Sequence, residues 1–248
     1  VRPRPRSGAG AELERFGFGA VAFTLGLSLS LSLGDNNVTM RATLALTAMA
    51  ASAAAAAADF QKPWYCRDLD CPPFETKNMT VAGETVEMRQ YGEGLWTSTT
   101  IMGTSLANAM DQAFQKLFDY ISGENENSEA IDMTAPVIVY ITPGEGPNCA
   151  DSFKVSFYVP YAYQSGATPP KPTADDVFTE KINGFTAAVS GFPGFYTDDI
   201  VIKTAASLVE TLEKGDIKTV GESYFFAGYD PPFRLTNRHS EVWIPVEL

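Results

Sequence analysis

Residues 103–137 read GTSLANAMDQAFQKLFDYISGENENSEAIDMTAPV, and this stretch contains the strongest helix signal in the chain. Its large apolar side chains recur at steps of three and four, at Leu106, Met110, Phe114, Leu117, Phe118 and Ile121. This spacing places them on one stripe of a helix, which another layer of the protein must cover. Thr104 or Ser105 is expected to cap the first turn, and Gly123 to end the helix.

The residues after this helix favour a strand. Glu124–Glu129 is a polar, acidic connection, and the chain becomes apolar and β-branched between Ile131 and Ile141. Side chains of this kind fit the pleated surface of a sheet. A buried strand is therefore expected directly downstream of the helix.

The rest of the chain predicts one more helix and several strands. Asp198–Lys214 carries Val201, Ala205, Leu208 and Leu212 on one helical face, with Thr197 as cap and Gly215 as stop. Tyr161–Asp175, which contains three prolines, is predicted to be a loop. The predicted strands are Pro72–Val81, Thr85–Met88, Leu95–Ile101, Ile131–Ile141, Phe153–Val159, Val177–Val189 with a kink at Gly184, Ile217–Tyr229 and Glu241–Glu247.

The order of these elements repeats. Strand, helix, strand, strand occurs once in each half of the domain, although the two halves share little residue identity. Two such units predict an α+β protein made of pseudo-duplicated β-α-β-β halves. Their strands are expected to form one mainly antiparallel sheet, curled or barrel-like, with two long helices packed on it.

The first 58 residues lie ahead of the predicted domain. Met40–Ala58 has the layout of a secretory signal, with one positive charge, a short apolar core and a small-residue end. Residues 1–39 are interpreted as an upstream segment of doubtful status, in which Arg2–Arg6 resembles no targeting element. The uncharged run Phe16–Leu33 is an alternative signal or anchor. Both interpretations predict a secreted protein, in which residues 59–248 form a single domain without a membrane span.

Composition and charge narrow the class of partner. The chain is 45% hydrophobic and 19% charged, as is ordinary for a globular protein, and its formal net charge is −12. Proteins that bind nucleic acid or anionic membranes present a basic face. We therefore expect no nucleic-acid partner.

Covalent features are consistent with an oxidising compartment. Cys66, Cys71 and Cys149 are the three cysteines, so one disulfide leaves one thiol over. Cys66–Cys71 is the simplest pairing, but Cys149 could pair with either, and the sequence does not decide between them. No metal site is expected, because the chain has a single histidine and no second cysteine pair. Asn78 begins an Asn-Met-Thr sequon that secretion would make available for glycosylation.

Several motifs resemble the SOUL heme-binding protein family. In that family a helix ending in YI-x-G-x-N precedes an I-x-MTAPV strand, and Tyr120–Asn125 and Ile131–Val137 match both. Further agreement lies at Val86–Gly92, Phe157–Pro160, Pro169–Pro172, Gly228–Pro232 and Asn237–Ile244, and the similarity covers roughly Pro72–Leu248. The resemblance implies a distorted antiparallel β-barrel with two long helices. It also implies a heme or other porphyrin bound non-covalently in a shallow apolar pocket beside the first helix.

Transferred to this chain, the resemblance points to a set of pocket residues. They are Leu106, Met110, Phe114 and Leu117 on the helix, with Lys214, Lys218 and Phe225 from the second half. The alternative for each helical residue is a place in the core, which is where an apolar helical stripe usually lies. Met110 and Met133 are interpreted as core residues rather than iron ligands.

Two positions depart from the family pattern. Gln90 stands where some members carry a histidine proposed as an axial ligand, and glutamine is a poor iron ligand. Asp111 stands where a basic residue can pair a propionate, and a carboxylate there would repel it. Arg89, Lys116, Lys214 and Lys218 remain as basic candidates. These departures keep open a second hypothesis, an extracellular protein-interaction module that has lost tight heme binding.

Enzymatic chemistry is not indicated. His239 lies in a polar turn without a G-x-S-x-G segment, and no phosphate-binding loop occurs. The adjacent carboxylates, such as Asp175-Asp176, lie in predicted caps or loops, where a solvated face explains them. The sequence therefore predicts a non-enzymatic carrier or scavenger of a small hydrophobic tetrapyrrole.

Overall fold

The computed structural model describes residues 60–103, 105–144 and 150–247. Nine antiparallel strands form one curled sheet in the order β1-β2-β7-β9-β8-β4-β5-β3-β6. The strands are β1 (Phe74–Val81), β2 (Glu84–Tyr91), β3 (Gly94–Met102), β4 (Val137–Pro143), β5 (Ala150–Tyr158), β6 (Phe178–Ile182), β7 (Phe185–Pro193), β8 (Tyr224–Gly228) and β9 (His239–Pro245). The helices are α1 (Leu106–Ile121), the single turn α2 (Tyr161–Gln164) and α3 (Asp198–Lys214).

The sheet order confirms the predicted duplication in a fuller form. Each half is β-β-α-β-β, comprising β2–β5 with α1 and β6–β9 with α3. Exchanging the two halves turns the order β2-β7-β9-β8-β4-β5-β3-β6 into its own reverse. A pseudo-two-fold axis therefore passes between β4 and β8, and β1 is an addition outside the repeat. α1 packs on β3 and β5, and α3 packs on their counterparts β7 and β9.

The two long helices begin and end where local chemistry allows. Ser105 caps α1 through its hydroxyl oxygen, which accepts a hydrogen bond from the Asn108 amide at 3.4 Å. Thr197 caps α3 in the same way, accepting from the Ile200 amide at 3.3 Å. Asp198 and Asp199 in the first turn and Lys214 in the last turn of α3 have the signs that the helix dipole favours. Thr104, the alternative cap of α1, lies outside the described residues.

Some predicted strands have different limits in the structure. Val177–Val189 contains two strands, β6 and β7, which turn at Gly184 rather than one strand kinked there. The predicted loop at Tyr161 begins with the helical turn α2. Of the predicted strand Ile217–Tyr229, only Tyr224–Gly228 forms a strand, β8, and Thr219 makes an isolated bridge to Val246. β4 starts at Val137 rather than Ile131.

The sheet has an apolar cluster on each face. The larger one lies between the sheet and the helices, and includes Val139, Val155, Phe226, Leu117 and Leu212, all with 0% exposure. The second lies on the opposite face, where the segment before β1 covers Trp243 and its neighbours. Residues that alternate along one strand thus serve two separate cores.

Candidate functional site

The predicted helical stripe is partly core and partly open. Leu106 and Leu117 are buried, with 3% and 0% exposure. Met110 and Phe114 are half-buried, and Phe118 is 44% exposed. Met110, Phe114 and Phe118 follow one another at four-residue steps, and we call them the α1 strip.

The aromatic members of the α1 strip present ordered ring faces. The Phe114 and Phe118 rings are nearly parallel, with 14° between their planes and 5.7 Å between their centroids. Phe114 also meets Phe157 of β5 edge to face at 5.3 Å. Such pairs hold ring orientation beyond what area burial alone supplies. The strip therefore offers an apolar surface with two parallel, stacked rings at the margin of the core.

Tyr196, in the loop before α3, lies near charged groups of α1 and of the turn before β9. Tyr196 packs on Phe226 of β8, with ring centroids 4.6 Å apart. Burial raises the pKa of the Tyr196 hydroxyl, and the negative charge of Asp111 on α1 adds to the effect, while Arg238 opposes it. Asp111 and Arg238 thus both lie close enough to Tyr196 to influence its charge.

A cleft of about 290 Å³ lies between α3, the start of α1 and the ends of β4, β5 and β8. We call it the α3 cleft. Its lining is mostly aliphatic and aromatic, and consists of Leu106, Ile141, Pro143, Ala150, Phe153, Asp198, Val201, Ile202, Ala205, Ala206, Val209, Glu222 and Tyr224. Of the pocket residues predicted from sequence, only Leu106 contributes to it.

The polar groups of the α3 cleft are two carboxyls and one phenol. The Asp198 carboxylate accepts hydrogen bonds from the backbone amides of Leu106 at 3.0 Å and Ala107 at 3.3 Å. It therefore ties the first turn of α1 to the first turn of α3. Burial raises the pKa of Tyr224, and the charge of Asp198 raises it further, so this phenol stays neutral at physiological pH.

A buried carboxylate network occupies the opposite face of the sheet. Glu241 is 1% exposed and lies 2.8 and 2.9 Å from the two terminal guanidinium nitrogens of Arg89. It accepts hydrogen bonds from the Tyr229 hydroxyl at 2.9 Å and the Trp243 indole N–H at 2.7 Å, and His239 Nε2 lies 2.7 Å from it. Burial disfavours the charge, but the His239 hydrogen bond and the Arg89 charge outweigh burial and hold the pKa of Glu241 at about 2.

The segment before β1 closes over this network. Tyr65 accepts a hydrogen bond from Arg89 at 2.9 Å, and its ring stacks on His239 with centroids 4.1 Å apart. Cys66 and Cys71 form a disulfide, the simplest of the predicted pairings, and both are 1% exposed. The third cysteine, Cys149, lies outside the described residues. His239 is therefore a hydrogen-bonded, partly covered side chain, and it is the first residue of β9 rather than part of a turn ahead of the last strand.

The remaining predicted pocket residues are not brought together with α1. Lys214 is exposed at the end of α3 and pairs with Glu210 at 2.7 Å, and Lys218 is exposed beyond it. Phe225 is 7% exposed on the other face of the sheet, where its ring centroid lies 5.3 Å from that of Phe185. Gln90 is exposed on β2, whereas α1 packs on β3 and β5.

The other basic candidates have partners. Arg89 is buried in the carboxylate network, and Lys116 pairs with Asp176 at 2.5 Å. Within the described ranges, no group of three His, Cys, Asp or Glu side chains has the arrangement of a metal site. Over those same residues, no helix is both long and apolar enough to cross a membrane.

The fold and these surfaces define an α+β domain with internal pseudo-two-fold symmetry and an apolar cleft against α3, its second long helix. The model of the SOUL heme-binding protein family matches residues 69–245, and the chain belongs to that family. It is 37% identical to human heme-binding protein 2 over 159 residues, which cover 64% of this chain and 76% of that protein. Heme-binding protein 1 of Xenopus tropicalis is 32% identical over 65% of this chain and 83% of its own length.

The fold also occurs in more distant proteins. The crystal structure of the EcmrR C-terminal domain superposes with a TM-score of 0.52 at 12% sequence identity. The match covers 70% of this chain and 98% of that one. At this identity the similarity concerns the fold alone.

Proposed function

We propose that the protein binds heme or a related tetrapyrrole non-covalently on the α1 strip, as a secreted, non-enzymatic carrier or scavenger. The observation that carries the proposal is the half-open row of Met110, Phe114 and Phe118 in a member of this family. The relatives of the chain are themselves named heme-binding proteins. An apolar surface that the rest of the domain leaves open is the expected place for an apolar ligand.

The strip suits a flat macrocycle. Phe118 is stacked nearly parallel to Phe114 and is 44% exposed, so one face of a porphyrin would lie against the exposed side of the Phe118 ring. Removal of roughly 300 Å² of apolar surface from water at about 25 cal/mol/Å² contributes about 7.5 kcal/mol before association costs. Micromolar binding requires about 8 kcal/mol net, so dispersion contacts with the aromatic rings must add to this burial. When bound, heme supplies its iron and a strong visible chromophore, while the strip shields one face of the ring from water.

The charged groups near the strip set the ligand's orientation. Asp111 is exposed next to Met110, and its carboxylate would repel a propionate. Lys116 is held by Asp176 on the other side of the buried stripe. The propionates are therefore expected to point away from the helix into solvent. Met110 offers a thioether within the strip, but binding by burial needs no bond to iron.

Hemin titration of the full chain tests the proposal. A saturable Soret shift with one-to-one stoichiometry is expected, and Phe118→Asp should weaken it at least about ten-fold because it places a charge against the macrocycle. Gln112→Asp is the matched control, since it adds the same charge on the exposed side of α1. Lack of saturation up to roughly 50 µM, or equal weakening by both variants, would reject the α1 strip.

A second candidate, an extracellular protein-interaction module, is favoured by the loop between β8 and β9. Phe233 and Leu235 are 82% and 77% exposed there, far more than large apolar side chains usually are. Recovery of one partner from secretions by the native protein but not by the Phe233→Ser/Leu235→Ser variant would support this function. The carrier function would be favoured if the native protein carried a bound chromophore and the Phe233→Ser/Leu235→Ser variant lost no protein partner.

A further inference from the structure

The α3 cleft is a second apolar site, distinct from the α1 strip. None of the three strip residues lines it, and its walls come from α3 and from the ends of β4, β5 and β8. Its volume of about 290 Å³ lies just below the usual range for small-molecule sites, roughly 300–1,000 Å³. The cleft therefore has room for the hydrocarbon body of a small organic molecule.

The charged side chains that line the α3 cleft are acidic. Among the described residues that line it, Asp198 and Glu222 are acidic, and none is basic. The two amides at the start of α1 compensate part of the Asp198 charge, because a helix N-terminus carries about half a positive charge. Glu222 is exposed, and within the described part of the chain it forms no ion pair. The net charge of −12 adds a wider negative field.

We infer that the α3 cleft binds an apolar organic monocation. Its hydrocarbon body would contact the walls formed by Ile141, Phe153 and Val201, and its positive charge would lie on the side of Asp198 and Glu222. Apolar burial supplies the affinity, and the two carboxylates supply the sign preference. The same carboxylates disfavour an anionic ligand, which separates this site from a site for a propionate-bearing tetrapyrrole.

The Tyr224 hydroxyl supports this assignment. Tyr224 is half-buried in the cleft, and burial together with the Asp198 charge keeps its pKa raised. The cleft therefore presents a neutral aromatic ring beside two negative groups. Aromatic ring faces attract cations, particularly where water is partly excluded.

Two probes of nearly equal size and opposite charge test the sign preference. Tetraphenylphosphonium and tetraphenylborate are titrated separately into the full chain by calorimetry at low salt. The cation is expected to bind saturably and at least about ten-fold more tightly than the anion. Glu222→Gln should reduce that ratio a few-fold, and added salt should reduce the contribution of exposed Glu222. Binding of the anion with equal or greater affinity would overturn the inference.

Two neighbouring positions on α3 test the location. Ala206 is exposed and lines the cleft, so Ala206→Phe should fill it and weaken tetraphenylphosphonium binding at least about ten-fold. Ser207 is exposed on the same helix but does not line the cleft, and Ser207→Phe should change the affinity less than about two-fold. Ala206→Leu is a smaller filling substitution should the phenylalanine variant fail to fold.

Three further results test the location of the cation site. Unchanged binding in a folded cleft-filling variant, or equal weakening by Ser207→Phe, would place the cation elsewhere and overturn the assignment. Tetraphenylphosphonium affinity should persist in Phe118→Asp, because Phe118 lies outside the cleft. A failure of hemin binding would therefore leave this test unaffected.

Discussion

The guanidinium of Arg89 on β2 and the carboxylate of Glu241 on β9 form a two-pronged ion pair, with N–O distances of 2.8 and 2.9 Å. β7 lies between these two strands in the sheet, so the pair spans a strand that separates its partners. Both side chains are almost fully buried. The pair therefore links the edge hairpin β1–β2 to the centre of the sheet, and its charges depend on each other for solvation.

Replacing Glu241 should destabilise the domain strongly. Glu241→Gln removes the buried counter-ion of Arg89 and leaves only the partly exposed Glu87 beside its charge, so we expect a loss of about 3–5 kcal/mol in the free energy of unfolding at pH 7. Chemical denaturation measures it. Glu87→Gln is the control, because Glu87 also pairs with Arg89, at 2.6 Å, but is 36% exposed and should cost less than about 1 kcal/mol. Equal costs for the two variants would contradict this role.

The same carboxylate should make stability depend on acid. The folded pKa of Glu241, about 2, is below its ordinary value of 4.5, so the stabilisation is fully present above pH 4.5 and is lost as the pH falls towards 2. The full effect corresponds to about 3 kcal/mol. Unfolding free energies of the wild type should fall across that window, and those of Glu241→Gln should fall less steeply. Parallel curves for both proteins would show that other groups control acid unfolding.

Opening the disulfide should loosen the segment before β1. Cys66→Ser/Cys71→Ser removes the closure of a short loop, which predicts a loss of about 2 kcal/mol. Tyr65 directly precedes Cys66, and its ring stacks on the ring of His239. Without the disulfide, Tyr65 should shield His239 from solvent less well, because the position of Tyr65 depends on this segment. Hydrogen exchange at residues 64–72 should rise more than exchange in α1. Unchanged exchange in that segment would show that the disulfide is dispensable for its order.

Adjacent residues on α1 should separate stability from ligand binding. Leu117 is fully buried, and Leu117→Ala should cost about 2–5 kcal/mol of stability. Phe118 is 44% exposed, so Phe118→Ala should cost less than about 1 kcal/mol but lower hemin affinity several-fold. Denaturation and Soret titration measure the two effects. A Phe118→Ala variant with unimpaired hemin binding would argue against the α1 strip.

Asn78 is available for glycosylation if the chain is secreted. It is exposed within β1, as is Thr80 of the same sequon. Protein recovered from the medium of secreting cells should lose mass on treatment with an N-glycosidase, and Asn78→Gln should abolish that change. Absence of any mass change in secreted wild-type protein would exclude the modification.

Local sequence signals predicted the helices well. The three- and four-residue spacing from Leu106 to Ile121 reflects a stripe that is buried at Leu106, Leu117 and Ile121 and, between them, at Ala109 and Ala113. Thr197 and Gly215 mark α3 because capping depends on the side chain and backbone of one residue. The predicted strands Pro72–Val81 and Thr85–Met88 likewise correspond to the hairpin β1–β2, which turns at Ala82 and Gly83.

The sequence contains no comparable signal for contacts between residues that are far apart in the chain. Phe225 lies between Tyr224 and Phe226, and three aromatic residues in a row show no alternation that would assign a face. Arg89 and Glu241 are separated by 152 positions, and each looks like an ordinary charged residue in its own strand. The α3 cleft is likewise assembled from α1, α3 and three strands, so no single segment reveals it.

The reversed strand order has an evolutionary consequence. Fusion of an ancestral β-β-α-β-β unit with its own copy would have created two equivalent surfaces, one beside each long helix. After such a fusion the two copies could diverge in sequence. The surface beside one helix could then bind a new ligand while the surface beside the other kept the original one. Members of such a lineage would then differ in which half they use, even where their backbones superpose.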